Sequence, residues 1–476
     1  MAAGYTPAYM PSVPITSANA TFLQPGNYLP APSVLVPPNA FMPRANTSPI
    51  GPVVKSRVMN GAAAHLQQVQ GQKVSQISVI LPVGPLFPSV QSLVPGLLTN
   101  GSAATKALVT QAAADGIDIT AIPGGEKIIL SLSSPIGKET AMIQTAMQLL
   151  TRPVVDPVTF NTLKQDQIEA FRKLLDDPKV PVFDALGKQL YGMQHPYGIS
   201  VPDLYADLVK QDAKTLMDVY QFALGKPKEA SVLFVSPLPV AQQQALLDQG
   251  IQSARWFANP YHQGPFPATP RVQKRQGKIP PVLIPSNKVQ RAHIVRAWQA
   301  PTVESVDYPA FVLITQLLGG MTGGWFKELR TRQGMVYSTQ QGYNLQKNGA
   351  DYNVSAEVNF DKVGPALQSM DRVIQELISQ PVDLQTLEKV KLKYMREVRT
   401  QTQSSEGIAA VNLDRLTDDH MPLHPNDLIA RMMAVTPQDI QRVAATVFGP
   451  QSGFEITGVS APAGVLQQWF GSTRRV

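Results

Sequence analysis

The sequence predicts an α+β fold made of two similar halves, preceded by a Pro-rich arm. Three observations carry this. The first 55 residues differ in composition from everything after them. The remainder repeats itself at an offset of about 220 residues. Within each copy, alternating apolar stretches are set between longer helical ones.

The arm spans residues 1–55. It holds 11 of the chain's 42 prolines, no acidic residue, and only Arg44 and Lys55 as basic ones. No helical or alternating pattern persists, and Pro37-Pro38 would interrupt either. A segment that buries little apolar surface cannot offset the entropy of ordering, so an extended or disordered arm is expected. Two readings stay open: a solvated tail, or an arm that docks on a partner through Phe22, Tyr28, Leu35 and Phe41.

The repeat divides the rest. Leu97-Leu98-Thr99-Asn100-Gly101 pairs with Leu317-Leu318-Gly319-Gly320-Met321. Each is followed by a helical stretch (Lys106 and Leu108; Lys327 and Leu329) that stops at a glycine, Gly116 or Gly334, as a helix C-terminus prefers. Pro153-Val154-Val155-Asp156 pairs with Pro381-Val382-Asp383, and each aspartate opens a long charged helix as an N-cap. Asp203-Leu204 and Gln211-Asp212 echo Asp427-Leu428 and Gln438-Asp439. Both copies finish on an apolar strand, Ala230 to Val235 and Phe454 to Val459. Ile128 to Leu132 and Asn353 to Val358 read as half-buried strands. The expected boundaries are an N-terminal half at 56–262, a Pro/Gly/Gln-rich linker at 263–284 and a C-terminal half at 285–476.

Composition excludes several functions. The chain has 476 residues, 43% apolar and 16% charged, which leaves ample material for cores. The net charge of +7 is mild, and no basic cluster with interleaved aromatics suggests nucleic acid. There is no cysteine, hence no disulfide, thiolate metal site or cysteine nucleophile. No apolar run reaches the ~18–20 residues a membrane span needs. Ile77 to Leu86 is too short and is interrupted by Pro82 and Pro85. The first ten residues have no basic charge and lead into no apolar core, so no secretory signal is visible. The compartment stays open: cytoplasmic by default, periplasmic if the start shown is not that of the precursor.

Several stretches resemble the pitrilysin/insulinase family, which includes the mitochondrial processing peptidases. Leu317-Leu318-Gly319-Gly320-Met321-Thr322-Gly323-Gly324-Trp325-Phe326-Lys327-Glu328-Leu329-Arg330 is similar to the family's L-G-G-x-x-S-S-R-L-F-x-E-L-R segment. Gly334-Met335-Val336-Tyr337-Ser338 is similar to its G-L-A-Y-S. Asn60-Gly61, His195-Pro196-Tyr197-Gly198 and Val435-Thr436-Pro437-Gln438-Asp439-Ile440 match its N-G, H-P-Y-G and V-T-x-x-D-V. The resemblance covers roughly 55–476. It implies two homologous α/β-sandwich halves of the processing-peptidase-like metallohydrolase type, with two such subunits closing around a chamber.

The resemblance also locates what is missing. The family's zinc helix carries H-x-x-E-H, with both His on one helical face and the Glu activating the bound water. Here Ser92 and Gly96 stand at the His positions and Pro95 at the Glu position. About 75 residues on, where the family places a further carboxylate, stand Arg172 and Lys173, with Glu169 one turn away. No metal is expected on this chain. Of the six histidines, only His420 and His424 have ligand-like spacing, with Asp418 and Asp419 just before them. Pro422 and Pro425 favour a loop over a metal helix there, and His195 reads as a turn residue.

The second half keeps Arg330 and Tyr337. The resemblance implies that such a pair faces the zinc across the chamber and holds the scissile carbonyl and its developing oxyanion. Gly319-Gly320 and Gly323-Gly324 read as packing glycines, because the Lys-Ser/Thr of a phosphate loop is absent. The expectation is a non-catalytic subunit of a heteromeric zinc peptidase. It would contribute Arg330 and Tyr337 to a heterodimer with an H-x-x-E-H homologue that carries the zinc, acting on unfolded peptide. The chain is not expected to cut peptides on its own. Two alternatives stay open: a structural or interaction protein of the same fold with no role in proteolysis, and a peptidase using a displaced metal.

Overall fold

The computed structural model describes residues 50–84, 88–123, 126–193, 195–259, 268–346, 348–417 and 424–471. Phe22, Tyr28, Leu35, Phe41 and His420 lie outside them. The first half begins with strands β1 (Ile50–Arg57), β2 (Ala63–Val69) and β3 (Val74–Pro82). Three short helices follow, α1 (Pro88–Gln91), α2 (Val94–Asn100) and α3 (Ala103–Ala114), then β4 (Asp118–Pro123) and β5 (Lys127–Pro135). Next come α4 (Glu139–Thr151), α5 (Pro157–Asp176), α6 (Val180–Tyr191), α7 (Val201–Lys210) and α8 (Ala213–Leu224). Strand β6 (Ser231–Ser236) and helix α9 (Val240–Ala254) close the half.

The second half repeats this order. It has β7 (Gly277–Lys278), β8 (Val282–Pro285) and β9 (Ala292–Gln299), then α10 (Tyr308–Leu318) and α11 (Gly324–Phe326). The last runs into a π-helical turn, Lys327–Arg332. Strands β10 (Thr339–Gln346) and β11 (Gly349–Val358) follow. The helices are α12 (Val363–Ser379), α13 (Leu384–Gln401), α14 (Ser405–Thr417), α15 (Pro425–Met433) and α16 (Pro437–Phe448), before β12 (Phe454–Ala461) and α17 (Ala463–Phe470).

Local chemistry sets the element ends. The Asp156 carboxylate accepts the Thr159 N–H at 2.8 Å, and Asp383 accepts the Thr386 N–H at 3.0 Å, so both long helices are capped as expected. Gly116 and Gly334 follow their helices with φ of +75° and +60°, a backbone region that favours glycine. Asn60 accepts the Ala62 N–H, and Gly61 has φ +88°, which turns β1 into β2. One echo is out of register. Asp212 is the N-cap of α8, whereas Asp439 sits three residues into α16 and forms a capping box with Thr436.

The two sheets match strand for strand. The first runs β1-β2-β6-β3-β5-β4, and the second runs β10-β11-β9-β12-β7, with β8 also on β12. In each, the closing strand is antiparallel to its central neighbour (β6 to β3, β12 to β9) and parallel to an early strand of its own half (β6 to β2, β12 to β8). Strand β1 is the addition, and it lies where the arm was expected: residues 50–55 pair with β2. The linker expectation is corrected as well. Lys278 and Val282 to Ile284 belong to strands of the second sheet, because β12 offers them a free parallel edge.

The halves exchange a helix. Val182, Leu186 and Leu190 of α6 pack not on their own sheet but on Val282, Val295, Ala297 and Ile456 of the second. Gly458 permits the close approach, since a Cβ there would lie 2.5 Å from Val182 Cγ1. Reciprocally, Ile408, Ala409 and Leu416 of α14 pack on Val69, Ile80, Leu233 and Val235 of the first sheet. Each half also sends a histidine across. His195 caps its turn by accepting the Tyr197 N–H through Nδ1 at 3.2 Å, and its Nε2 lies 2.9 Å from the Pro270 carbonyl. His424 accepts the Asn426 N–H through Nδ1 at 3.1 Å, with Nε2 3.0 Å from the Ile50 carbonyl. An Nδ1 that accepts leaves Nε2 to carry the proton, so both rings donate to those carbonyls.

Candidate half-site in the second half

The degenerate zinc helix is not one helix. α1 stops at Gln91 and α2 starts at Val94. Ser92 stands in the break, donating from Oγ to the Ser89 carbonyl at 2.6 Å. Pro95 occupies the first turn of α2, where a missing N–H costs nothing. Gly96 faces α5: a Cβ at this position would lie 2.6 Å from Leu163 Cδ2. A larger side chain at 96 would have to push the Leu163 tip aside, and 92 and 96 do not share one continuous helical face. The residues present do not fit a zinc ion: Ser, Pro and Gly supply no imidazole or carboxylate.

The other candidate ligands do different work. Arg172 is exposed and donates to the Tyr205 hydroxyl, and Glu169 is exposed. His195 and His424 spend both ring nitrogens on backbone groups. Among the described residues no group of three or more His, Asp or Glu side chains is placed to hold a metal ion. No described helix is long and apolar enough to cross a membrane.

Arg330 and Tyr337 are brought together. Arg330 ends the first turn of the π-helical segment, and its Nη1 donates to the Val336 carbonyl at 3.0 Å. That bond closes the six-residue loop and lays the guanidinium 5.6 Å from the Tyr337 ring centroid. Both side chains are exposed; Tyr337 is 77% accessible, an unusual state for so large a ring. Arg330 has no ion pair among the described residues, so a guanidinium and a phenol stand side by side facing solvent.

Beneath them lies a support that sequence reading passed over. The buried Glu328 carboxylate takes Arg372 of α12 at 3.0 Å and Arg332 at 3.2 Å. Burial pushes the Glu328 carboxyl up, but the hydrogen bonds from Arg372 and Arg332 outweigh it and hold it below its ordinary value. This pins the turn to α12. Glu328 was visible within the Leu317–Arg330 segment, but its partner is 44 residues away and no local pattern points to it. The glycines nearby do pack closely. A Cβ on Gly319 would overlap the Gln341 amide, and one on Gly323 would overlap the Gly319 carbonyl.

The geometry is thus a two-half α+β shell with an exposed Arg–Tyr pair in the second half and no metal-ligating side chain at Ser92, Pro95 or Gly96 in the first. Residues 225–394 match the family described as "Peptidase M16 inactive domain". Similar solved structures include a peptidase M16 inactive domain from Pseudomonas fluorescens, at 16% identity and TM-score 0.73, covering 86% of this chain and 98% of that one. A protease from Helicobacter pylori is similar at 15% identity and TM-score 0.75, covering 86% and 99%. The periplasmic protease PqqL from Escherichia coli is similar at 13% identity and TM-score 0.71, covering 94% of this chain but 49% of its own. No curated protein matches the chain in sequence. Residues 225–394 thus match the M16 peptidase inactive-domain family, and the chain as a whole has a fold similar to these M16-type structures, with no zinc-ligating side chain at Ser92, Pro95 or Gly96.

Proposed function

We propose that this chain is the non-catalytic subunit of a heteromeric zinc peptidase. It contributes Arg330 and Tyr337 to a site whose metal a partner with an intact H-x-x-E-H helix supplies. One observation carries this reading: the two halves have decayed unequally. The first half has no ligating side chain at Ser92, Pro95 or Gly96 and a broken helix there, while the Arg330–Tyr337 pair in the second is pre-formed, braced and exposed. A structural role alone gives no reason to keep a guanidinium and a phenol held together in solvent.

In that role Arg330 presents a forked cation and Tyr337 one hydroxyl donor to a peptide carbonyl. Charge that builds on the oxygen as the peptide is attacked strengthens both contacts, and fixed donors need no reorganisation at that moment. The test is reconstitution with an H-x-x-E-H homologue from the same genome, followed by a peptide-cleavage assay. Arg330→Ala should lower turnover by roughly 100- to 1000-fold and Tyr337→Phe by a smaller factor. Turnover unchanged by both substitutions would sink the proposal.

A further inference from the structure

A second polar feature adjoins Tyr337. Where the N-terminus of α6 meets strands β9 to β11, a cleft of about 140 Å³ opens, with Tyr337 in its wall. It exists because of the helix exchange: Lys179 comes from the first half, and the rest comes from the second. The strand register brings its polar groups onto one face. Glu357 lies opposite His293, and Ser355 opposite Gln340, while Val354 and Val358 on either side of them turn into the core.

The charges decide what this cleft suits. Lys179 Nζ sits 2.6 Å from Glu357 Oε1, so these two cancel. Burial first, then the nearby Lys179, pull His293 down to about 4, against the opposing pull of Glu357 and Asp177, so the ring is neutral near pH 7. Arg291 is exposed and makes no ion pair among the described residues, and it lies near enough to depress the Glu357 carboxyl. Asp177 also lies close enough to act on His293, and Arg291 is the lining cation that makes no ion pair among the described residues. Gln340 adds an amide and Ser338 a hydroxyl, both able to donate.

We propose that this cleft is a subsite for the carboxylate side chain of an Asp or Glu in the peptide held by Arg330 and Tyr337. The inference rests on reading that pair as a peptide-holding site. A single carboxylate suits the Arg291 guanidinium, which makes no ion pair among the described residues and offers it two parallel donors. A cationic side chain would have to displace Lys179 from Glu357. A dianion such as a phosphate monoester would meet the Glu357 carboxylate. The position directly beyond Tyr337 makes the carboxylate a neighbour of the residue whose carbonyl the pair holds.

The experiment uses the full chain and short, end-blocked fluorescent peptides of Ala, Ser and Gly. A single Glu is moved through each position, and each peptide is paired with its Gln counterpart; binding is read by anisotropy. At one position Glu should bind about tenfold more tightly than Gln, a preference that weakens as salt is raised. Arg291→Ala should bring that ratio close to one, and Arg291→Lys should keep part of it. Arg330→Ala should weaken both members of every pair and leave the ratio. If no position favours Glu, or if the preference survives Arg291→Ala, the subsite is wrong and the Arg330–Tyr337 reading stands. If no peptide binds, or Arg330→Ala changes no affinity, the peptide-holding reading fails and takes the subsite with it.

Discussion

In the first half, the segment between β3 and β4 is broken into three helices, of which α2 packs on α5 with Leu163 beside Gly96. In the second, the matching segment ends in a π-helical turn that holds Arg330 out toward solvent and ties its own base to α12 through Glu328. The strand order around both is the same. One copy thus packs small residues at these positions, and the other holds polar side chains exposed above a buried carboxylate that takes two arginines. Exposed polar groups held in a fixed geometry do little for stability.

The same comparison can be broken or sharpened experimentally, beginning with the exchanged helices. Leu186→Ala and Ile408→Ala each remove a buried side chain and should destabilise the chain by about 2–5 kcal/mol in urea unfolding. The diagnostic readout is amide hydrogen exchange. Leu186→Ala should loosen β9 and β12, and Ile408→Ala should loosen β3 and β6, each in the half that does not contain the mutation. Loss confined to the mutated half would show that the halves are separate folding units.

Each half also buries one neutral histidine in a strand of its sheet. Burial, with Lys55 adding to it, brings His65 down to about 4, and burial with Lys179 does the same for His293. In the unfolded chain these rings take up protons near the ordinary value of 6.5, and in the folded chain they do so only near 4. Stability present above 6.5 is therefore lost as pH falls toward 4, on the order of 2 kcal/mol for each ring. Asp184 opposes this. Burial raises its carboxyl to about 6, so the folded state takes up that proton first and gains on acidification. Unfolding free energy should decrease from pH 7 to pH 5. His65→Gln or His293→Gln should flatten the decrease, and Asp184→Asn should steepen it. A profile unaffected by all three would contradict the assignment.

Restoring the metal motif probes the closed half. Ser92→His, Pro95→Glu and Gly96→His together should leave zinc far below a stoichiometric amount after dialysis, while overpacking against Leu163 costs about 1–3 kcal/mol. Stoichiometric zinc would mean that the break at Ser92 and Leu93 straightens readily and that the halves differ less than their packing indicates. The smallest effect belongs to the crossing histidines. His195→Ala and His424→Ala should each cost about 1 kcal/mol, the net worth of the bonds to Pro270 and Ile50. A near-zero cost for one of them would show that only the other latches the halves.

Much of this was legible in the chain because it is local. Asp156 and Asp383 announce helix starts, Gly116 and Gly334 announce helix ends, and the spacing of Arg330 and Tyr337 places both on one short loop. Misplaced features have the opposite character. Residues 50–55 look like more of the Pro-rich arm until β2 offers them an edge, and Val282 to Ile284 look like linker until β12 does. A strand's identity depends on its neighbour, and the neighbour is distant in sequence. The amphipathic pattern of α6 shows that one face is buried but carries no information about which sheet buries it.

Legible from the chain alone were the duplication, the absence of any zinc-ligating side chain at Ser92, Pro95 and Gly96, and the presence of Arg330 and Tyr337 seven residues apart. Residue identity alone fixes whether a metal can be ligated or a carbonyl can be held. It took the folded chain to bring Leu163 beside Gly96, to set Glu328 and Arg372 under the Arg330–Tyr337 pair, and to carry α6 across so that Lys179 lies beside Arg291. Those outcomes depend on contacts between residues far apart in the chain, and packing, unlike ligand chemistry, is a property of pairs.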